Sequence, residues 1–274
     1  MKIGQLIHAA AFGEASPLGS SIFADKVDDV SVEAAMEYRA DNFVSGNLVV
    51  SGSGISQARL SEIVQTASFP QGARRVVKDS PFFGGETRQK ADLKGAVHIA
   101  LAFPAPIGES GSIILCLELG DCGSLAMMKL GKAFAVLKEL LSAAGQTSFL
   151  HGYSSGALIG LYFTDAVQLQ SAIQLLKTVA VSSPATLSGL DAVKTRASLS
   201  RLLSLEGGGA AEALVDAHVA GGGLGADKLA DLRTVSAEAV VKAAQTVLSS
   251  SPAYAVLGDT KKAPSYSSVL SLLK

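Results

Sequence analysis

Residues 97–104, VHIALAFP, run apolar without a single charge. That is the pattern of a short strand at the centre of a sheet, buried on both faces. It constrains the chain more than any other stretch, because a sheet with such a strand must be covered by other elements. On its N-terminal side, FFGGETRQKADLKGA (82–96) packs three glycines and five charges into a loop that feeds the strand. Gly84 and Gly85 are expected to permit a tight approach into it, and Glu86 and Arg88 read as surface or interface charges.

The covering elements are legible from periodicity. MKIGQLIHAAAFGEA opens the chain as an amphipathic helix, with Ile3, Leu6, Ile7, Ala10 and Ala11 at helical spacing. SVEAAMEYRADNFV follows as a second helix. Ser31 is its N-cap, without the reciprocal capping box because Ala34 stands three residues on. NLVVSGSG (47–54) has strand character, and SQARLSEIVQTA returns to helix with Leu60, Ile63 and Val64 on one face. Pro70 and Pro81 break the connection that leads to the central strand. Beyond it, ESGSIILCLELG and SLAMMKLGKAFAVLKELLSAAG read as interrupted helix, and TSFLHGYSSGALIGLYFTD as two strands meeting near Ser154–Gly156. AVQLQSAIQLLKTVA is a helix capped by Asp165, with Val167, Ile173, Leu176 and Val179 as its stripe. Three more helices precede the strand AYAVLGD and the short helix SYSSVLSLLK. The hairpin makes this an α+β fold, a mixed, largely antiparallel sheet covered by helices, and not a doubly wound parallel one.

Bulk composition excludes several functions. Apolar residues make up 48% of the 274 and charged ones 17%, enough to bury a substantial core. Yet no apolar run approaches the roughly twenty residues that span a bilayer. A net charge of −1 gives no field for nucleic acid, and the absence of Trp removes the best stacking platform. The opening segment resembles neither a secretory signal nor an Arg-rich transit peptide, and a chain starting inside a packed helix reads as a fragment. Cys116 and Cys122 fit free thiols in a reducing compartment better than a disulfide or a metal half-site.

Catalytic patterns are tested in turn, and none is complete. Zinc hydrolysis needs two histidines within one helical turn and a general-base carboxylate, as in H-x-x-E-H. His8, His98, His151 and His218 are followed by AAAF, IALA, GYSS and VAGG. His98 and His151, on predicted strands, therefore read as satisfied core or interface histidines. The run GGGLGADK (221–228) lacks the lysine a phosphate loop needs directly after its last glycine. Gly207–Gly209 and Gly221–Gly223 read as helix ends. GYSSG (152–156) has the form of a nucleophile elbow, but Ser154 falls between two strands and not between strand and helix. The sequence thus yields no catalytic, cofactor-binding or metal-binding residues and no cofactor, and the chain is not an enzyme on its own.

Taken together, FFGGETRQKADLKGAVHIALAF and HGYSSGALIGLYFTDAVQLQSAIQLLKTVA resemble the C-terminal half of the mitochondrial processing peptidase and complex III core-protein family, related to pitrilysin. There a GGE-R loop precedes a strand carrying HxAL. A strand pair of the form Y-x-D/S-x-G-L-x-G-x-Y follows, to which Tyr153, Ser154, Ser155, Gly156, Leu158, Gly160 and Tyr162 are similar. The opening 50 residues look like the end of the N-terminal half. The likeness spreads over essentially the whole chain and lacks one sharp motif.

The resemblance implies residues 1–46 as last helices of an N-terminal half-domain and 47–274 as the C-terminal domain. The family's zinc motif belongs to the half this chain lacks. Where the peptidase's noncatalytic subunit carries a glycine-rich substrate loop, this chain has LELGDCGSLAMMKLGKAF, which is poor in glycine. That departure and the tail 221–259 favour a noncatalytic core subunit of ubiquinol–cytochrome c reductase, peripheral on the matrix side of the mitochondrial inner membrane. The alternative it implies is a noncatalytic partner of a two-chain zinc processing peptidase. Implied partners are a chain carrying the N-terminal half, a first core or peptidase β-like subunit, and other complex III subunits. Expressed alone, such a fragment is expected to aggregate.

Overall fold

The apolar run becomes the middle strand of a five-stranded sheet. The computed structural model describes residues 2–23, 30–73, 78–105, 132–143, 145, 147–153, 157–187, 189–203, 206, 209–219 and 235–274. In chain order these form α1 (Lys2–Phe12), α2 (Val32–Asn42), α3 (Gln57–Thr66), β1 (Gly85–Lys90), β2 (Val97–Ala105), α4 (Lys132–Ala143), β3 (Thr147–Gly152) and β4 (Ala157–Phe163). Then follow α5 (Ala166–Val181), α6 (Leu190–Leu203), α7 (Gly209–Val219), α8 (Ala237–Ser249), β5 (Ala253–Gly258) and α9 (Tyr266–Leu273). The strand order is β1-β5-β2-β4-β3, with β1 parallel to β5 and every other pair antiparallel. The expected α+β class, with its mixed and mainly antiparallel sheet, is what forms.

Alternation along the strands divides the core in two. One face presents Ile99, Leu101 and Phe103 of β2, Ile159, Leu161 and Phe163 of β4, and Tyr254 and Val256 of β5. These pack under α4, α5, α8 and α9, and each fully buried large side chain contributes about 1.5–3 kcal/mol. Gln245 Nε2 ties α8 to the last turn of α5 by donating to the Ala180 carbonyl at 2.8 Å. The other face is built of small residues: Ala100, Ala102, Ala253 and Ala255, joined by Leu158. Because these project so little, α1 settles directly onto β1, β2 and β5, burying Ile7, Ala10, Ala11 and Phe12.

The predicted caps hold. Ser31 Oγ accepts from the Ala34 amide at 3.1 Å, and an Asp165 carboxylate oxygen accepts from the Gln168 amide at 2.7 Å. Gly84 and Gly85 take φ of 71° and 130°, and a Cβ on Gly84 would stand 2.9 Å from the Pro252 carbonyl oxygen. Here the chain passes the end of α1, donating the Phe83 amide to the Ala11 carbonyl, and enters β1.

Four expectations need correction. GETRQK is a strand and not part of a loop; at a sheet edge its charges alternate outward, so the apolar signal of a strand is missing. NLVVSGSG is not a strand: Ser45 and Gly46 donate their amides to Pro70 and Gly72, and Leu48–Ser51 pair with no strand among the described residues. Val167 is 71% exposed, because the buried stripe of α5 runs through Leu169, Ala172, Ile173, Leu176, Val179 and Ala180, out of phase with it. Arg88 is more than a surface charge. It donates to the carbonyls of Thr260 and Pro264, pairs with Glu86, and lies 5.6 Å from the Tyr254 ring centre. The segments around Cys116 and Cys122, Ser154–Gly156 and Gly221–Gly223, and Gly207, lie outside the described residues.

Candidate functional site

Three of the four histidines are placed with their surroundings, and two of these converge. His98 stands on β2, its Nδ1 hydrogen-bonded to the Tyr162 hydroxyl, the rings stacked at 5.9 Å. Tyr162 pairs with Ala100 across the ladder, so this is a diagonal cross-strand contact of the kind that stabilises sheets. His98 is therefore satisfied by its sheet neighbour, as the sequence implied. His218 lies on α7, and its side chain is outside the described residues.

His8 and His151 meet at the edge of the α1-covered face, with ring centres 5.9 Å apart. His8 Nδ1 bonds to the Gly4 carbonyl at 2.6 Å, and its Nε2 bonds to the Tyr153 hydroxyl. Burial holds the imidazole below the ordinary histidine range, against the pull of the Gly4 carbonyl. Phe12, Phe82 and Tyr153 pack edge to face around the pair. Sequence reasoning missed this meeting, because α1 and β3 are joined only by the fold. The positions of His8 on the apolar helix face and of His151 on a strand carried the only signal. Among the described residues, no three of His, Cys, Asp and Glu converge as a metal ion would require.

A second feature is a surface. α2 and α3 bury no side chain at all. Val32, Met36, Tyr38 and Phe43 are 70%, 65%, 63% and 51% exposed, beside Val49, Val50, Ile63 and Phe69. Met36, Arg39, Ala40, Phe43, Phe69 and Pro70 line a recess of about 370 Å³. So many exposed apolar side chains in one stretch of chain are the mark of an interaction surface and not of a monomer's exterior.

No family model matches the chain. Its fold is that of a chain in complex III2 of Candida albicans, solved with Inz-5 bound: TM-score 0.75 at 12% identity, over 99% of this chain and 70% of that one. The mixed sheet with helices over one face and, among the described residues, a single helix on the other is thus a fold shared with a chain of complex III. In sequence, the chain is 26% identical over 165 residues to the mitochondrial cytochrome b-c1 complex subunit 2 of Cryptococcus neoformans var. grubii. The match takes in 57% of this chain and spans 37% of that relative's length. Both likenesses support the core-protein family, and the second points to the same subunit that the tail 221–259 resembles.

Proposed function

We propose that the chain is a noncatalytic structural subunit of mitochondrial respiratory complex III, equivalent to the C-terminal half of its second core protein. In this reading it is peripheral to the inner membrane on the matrix side; no helix among the described residues is long and apolar enough to cross a membrane. Its partners are a chain carrying the N-terminal half, the first core subunit and other subunits of the complex. Residues 1–46 come from the end of the N-terminal half-domain and 47–274 from the C-terminal one, with α1 tying the two by lying on the sheet. The chain contributes no catalytic, cofactor-binding or metal-binding residue.

The observation that carries this reading is the state of residues 32–72. NLVVSGSG has the composition of a strand and is followed by a well-capped helix, yet it has no sheet to join among the described residues. Its valines and the apolar residues of α2 and α3 face solvent, so a partner must supply the surface they complete. Likeness in sequence to cytochrome b-c1 complex subunit 2 over 165 residues, 37% of that relative's length, supports the identity of that partner's assembly.

Met36→Asp combined with Phe43→Asp, in the tagged chain expressed in a cell that assembles it, is expected to abolish recovery of complex III subunits. Val167→Asp, on an exposed position of α5, leaves recovery intact. Recovery with the double variant equal to that with Val167→Asp would contradict this surface as the interface.

A further inference from the structure

We propose that His8 and Tyr153 form a proton-sensitive latch that holds α1 on the sheet and releases it on acidification. The argument begins with the ring's hydrogen bonds. A backbone carbonyl can only accept, so the bond to Gly4 places the proton on Nδ1. Nε2 is then the bare nitrogen and accepts from the Tyr153 hydroxyl. The neutral ring is fully satisfied, and it links the middle of α1 to the residue that follows β3.

Adding a proton at Nε2 turns an acceptor into a second donor. Tyr153 must then reverse its hydroxyl, and a positive charge sits in a site built of aromatic rings. Among the described residues, the titratable groups facing His8 are Tyr153 and His151, the latter with its ring 5.9 Å away. From the strands beneath α1 come Ala100, Ala102, Ala253 and Ala255, which carry no charge. On the same sheet face His98 is engaged by Tyr162. Thr87 and Gln89 are the matching positions of β1 and do not titrate. Among the described residues no carboxylate forms an ion pair with His8. The charged ring therefore has no counter-ion among the described residues, and leaving the sheet restores its hydration.

Burial lowers the proton affinity of the seated ring below that of the released one. The seated state is accordingly at full strength above the ordinary histidine value near 6.5. It weakens as pH falls through the window between that value and the lowered one, by about tenfold in the docking constant per pH unit. Below the lowered value the loss is complete.

The test is amide hydrogen exchange of residues 5–12 in the assembled chain, corrected for intrinsic rates, from pH 7.5 to 5. Protection of α1 should fall with acid in the wild type and stay flat in His8→Gln, which keeps the ring's size and polarity without its proton. His151→Gln and His98→Gln should keep the fall. An acid-independent wild type, a fall that persists in His8→Gln, or one that vanishes in His151→Gln would overturn the latch. Should His8→Gln not assemble, the wild-type His8 ring resonance decides by NMR: titration below the ordinary range supports the latch, and titration at or above it overturns it.

Discussion

Gly258 closes β5 with φ at 107°, a conformation open to glycine and closed to other residues. A Cβ there would stand 2.3 Å from the Ala96 carbonyl oxygen, which already accepts the Asp259 amide at 3.0 Å. Neither atom can swing aside, because both belong to the backbone. Gly258→Ala is therefore expected to cost about 1–3 kcal/mol from backbone strain alone, with the clash in addition. Thermal unfolding of the purified assembly should show a midpoint several degrees lower, and an unchanged midpoint would refute the strain. Tyr254, four residues earlier, shows what full burial does at this scale. Its hydroxyl is pushed up to about 12 by desolvation, Arg88 offsetting part of that and Glu86 adding to it. The tyrosine is thus neutral at any physiological pH, and its hydroxyl donates to the Pro264 carbonyl at 3.2 Å.

At the scale of elements, the seam between α1 and the sheet brings Ala10 and Ala11 together with Ala100, Ala102, Ala253 and Ala255, in one cluster with Ile7, Phe12 and Leu158. Ala11 has no exposed surface, and Ala11→Leu should overpack the seam by about 1–3 kcal/mol. Gly4 lies on the same helix with nothing within 4 Å of where its Cβ would be, so Gly4→Ala should strengthen α1 by up to about 1 kcal/mol. Opposite shifts in α1 amide protection check the pair; equal shifts would contradict the packing. Periodicity made most elements legible. Buried helices and central strands write their burial into the sequence, as VHIALAFP, the 157–163 strand and the capped helices do. What stayed hidden depends on neighbours. β1 is stabilised by its parallel partner and by Arg88 reaching the 260–264 turn, contacts that no local pattern encodes. NLVVSGSG failed in the opposite sense: its local pattern is that of a strand, but a strand exists only where another offers its edge. His8 and His151 are likewise joined by the seating of α1 and not by spacing.

For the molecule as a whole, the sheet domain closes on its own core while residues 32–72 remain outside it. The sheet domain buries an apolar core on both sheet faces, though Val167, Val181, Leu199, Leu202 and Leu203 of its helices are exposed. By contrast α2 and α3 bury no side chain, and Met36, Phe43, Val50 and Ile63 in and near them face solvent. That contrast, together with likeness to cytochrome b-c1 complex subunit 2 over part of that relative's length, supports the proposal of a structural piece of a respiratory complex, completed by another polypeptide. The most direct measurement is the composition of what co-purifies with the tagged native chain, by mass spectrometry and visible absorption. The account predicts haem-bearing and iron–sulfur subunits of complex III together with a chain carrying the N-terminal half. Recovery of a zinc-bearing H-x-x-E-H chain without haem or iron–sulfur subunits would contradict it and establish the peptidase-partner alternative.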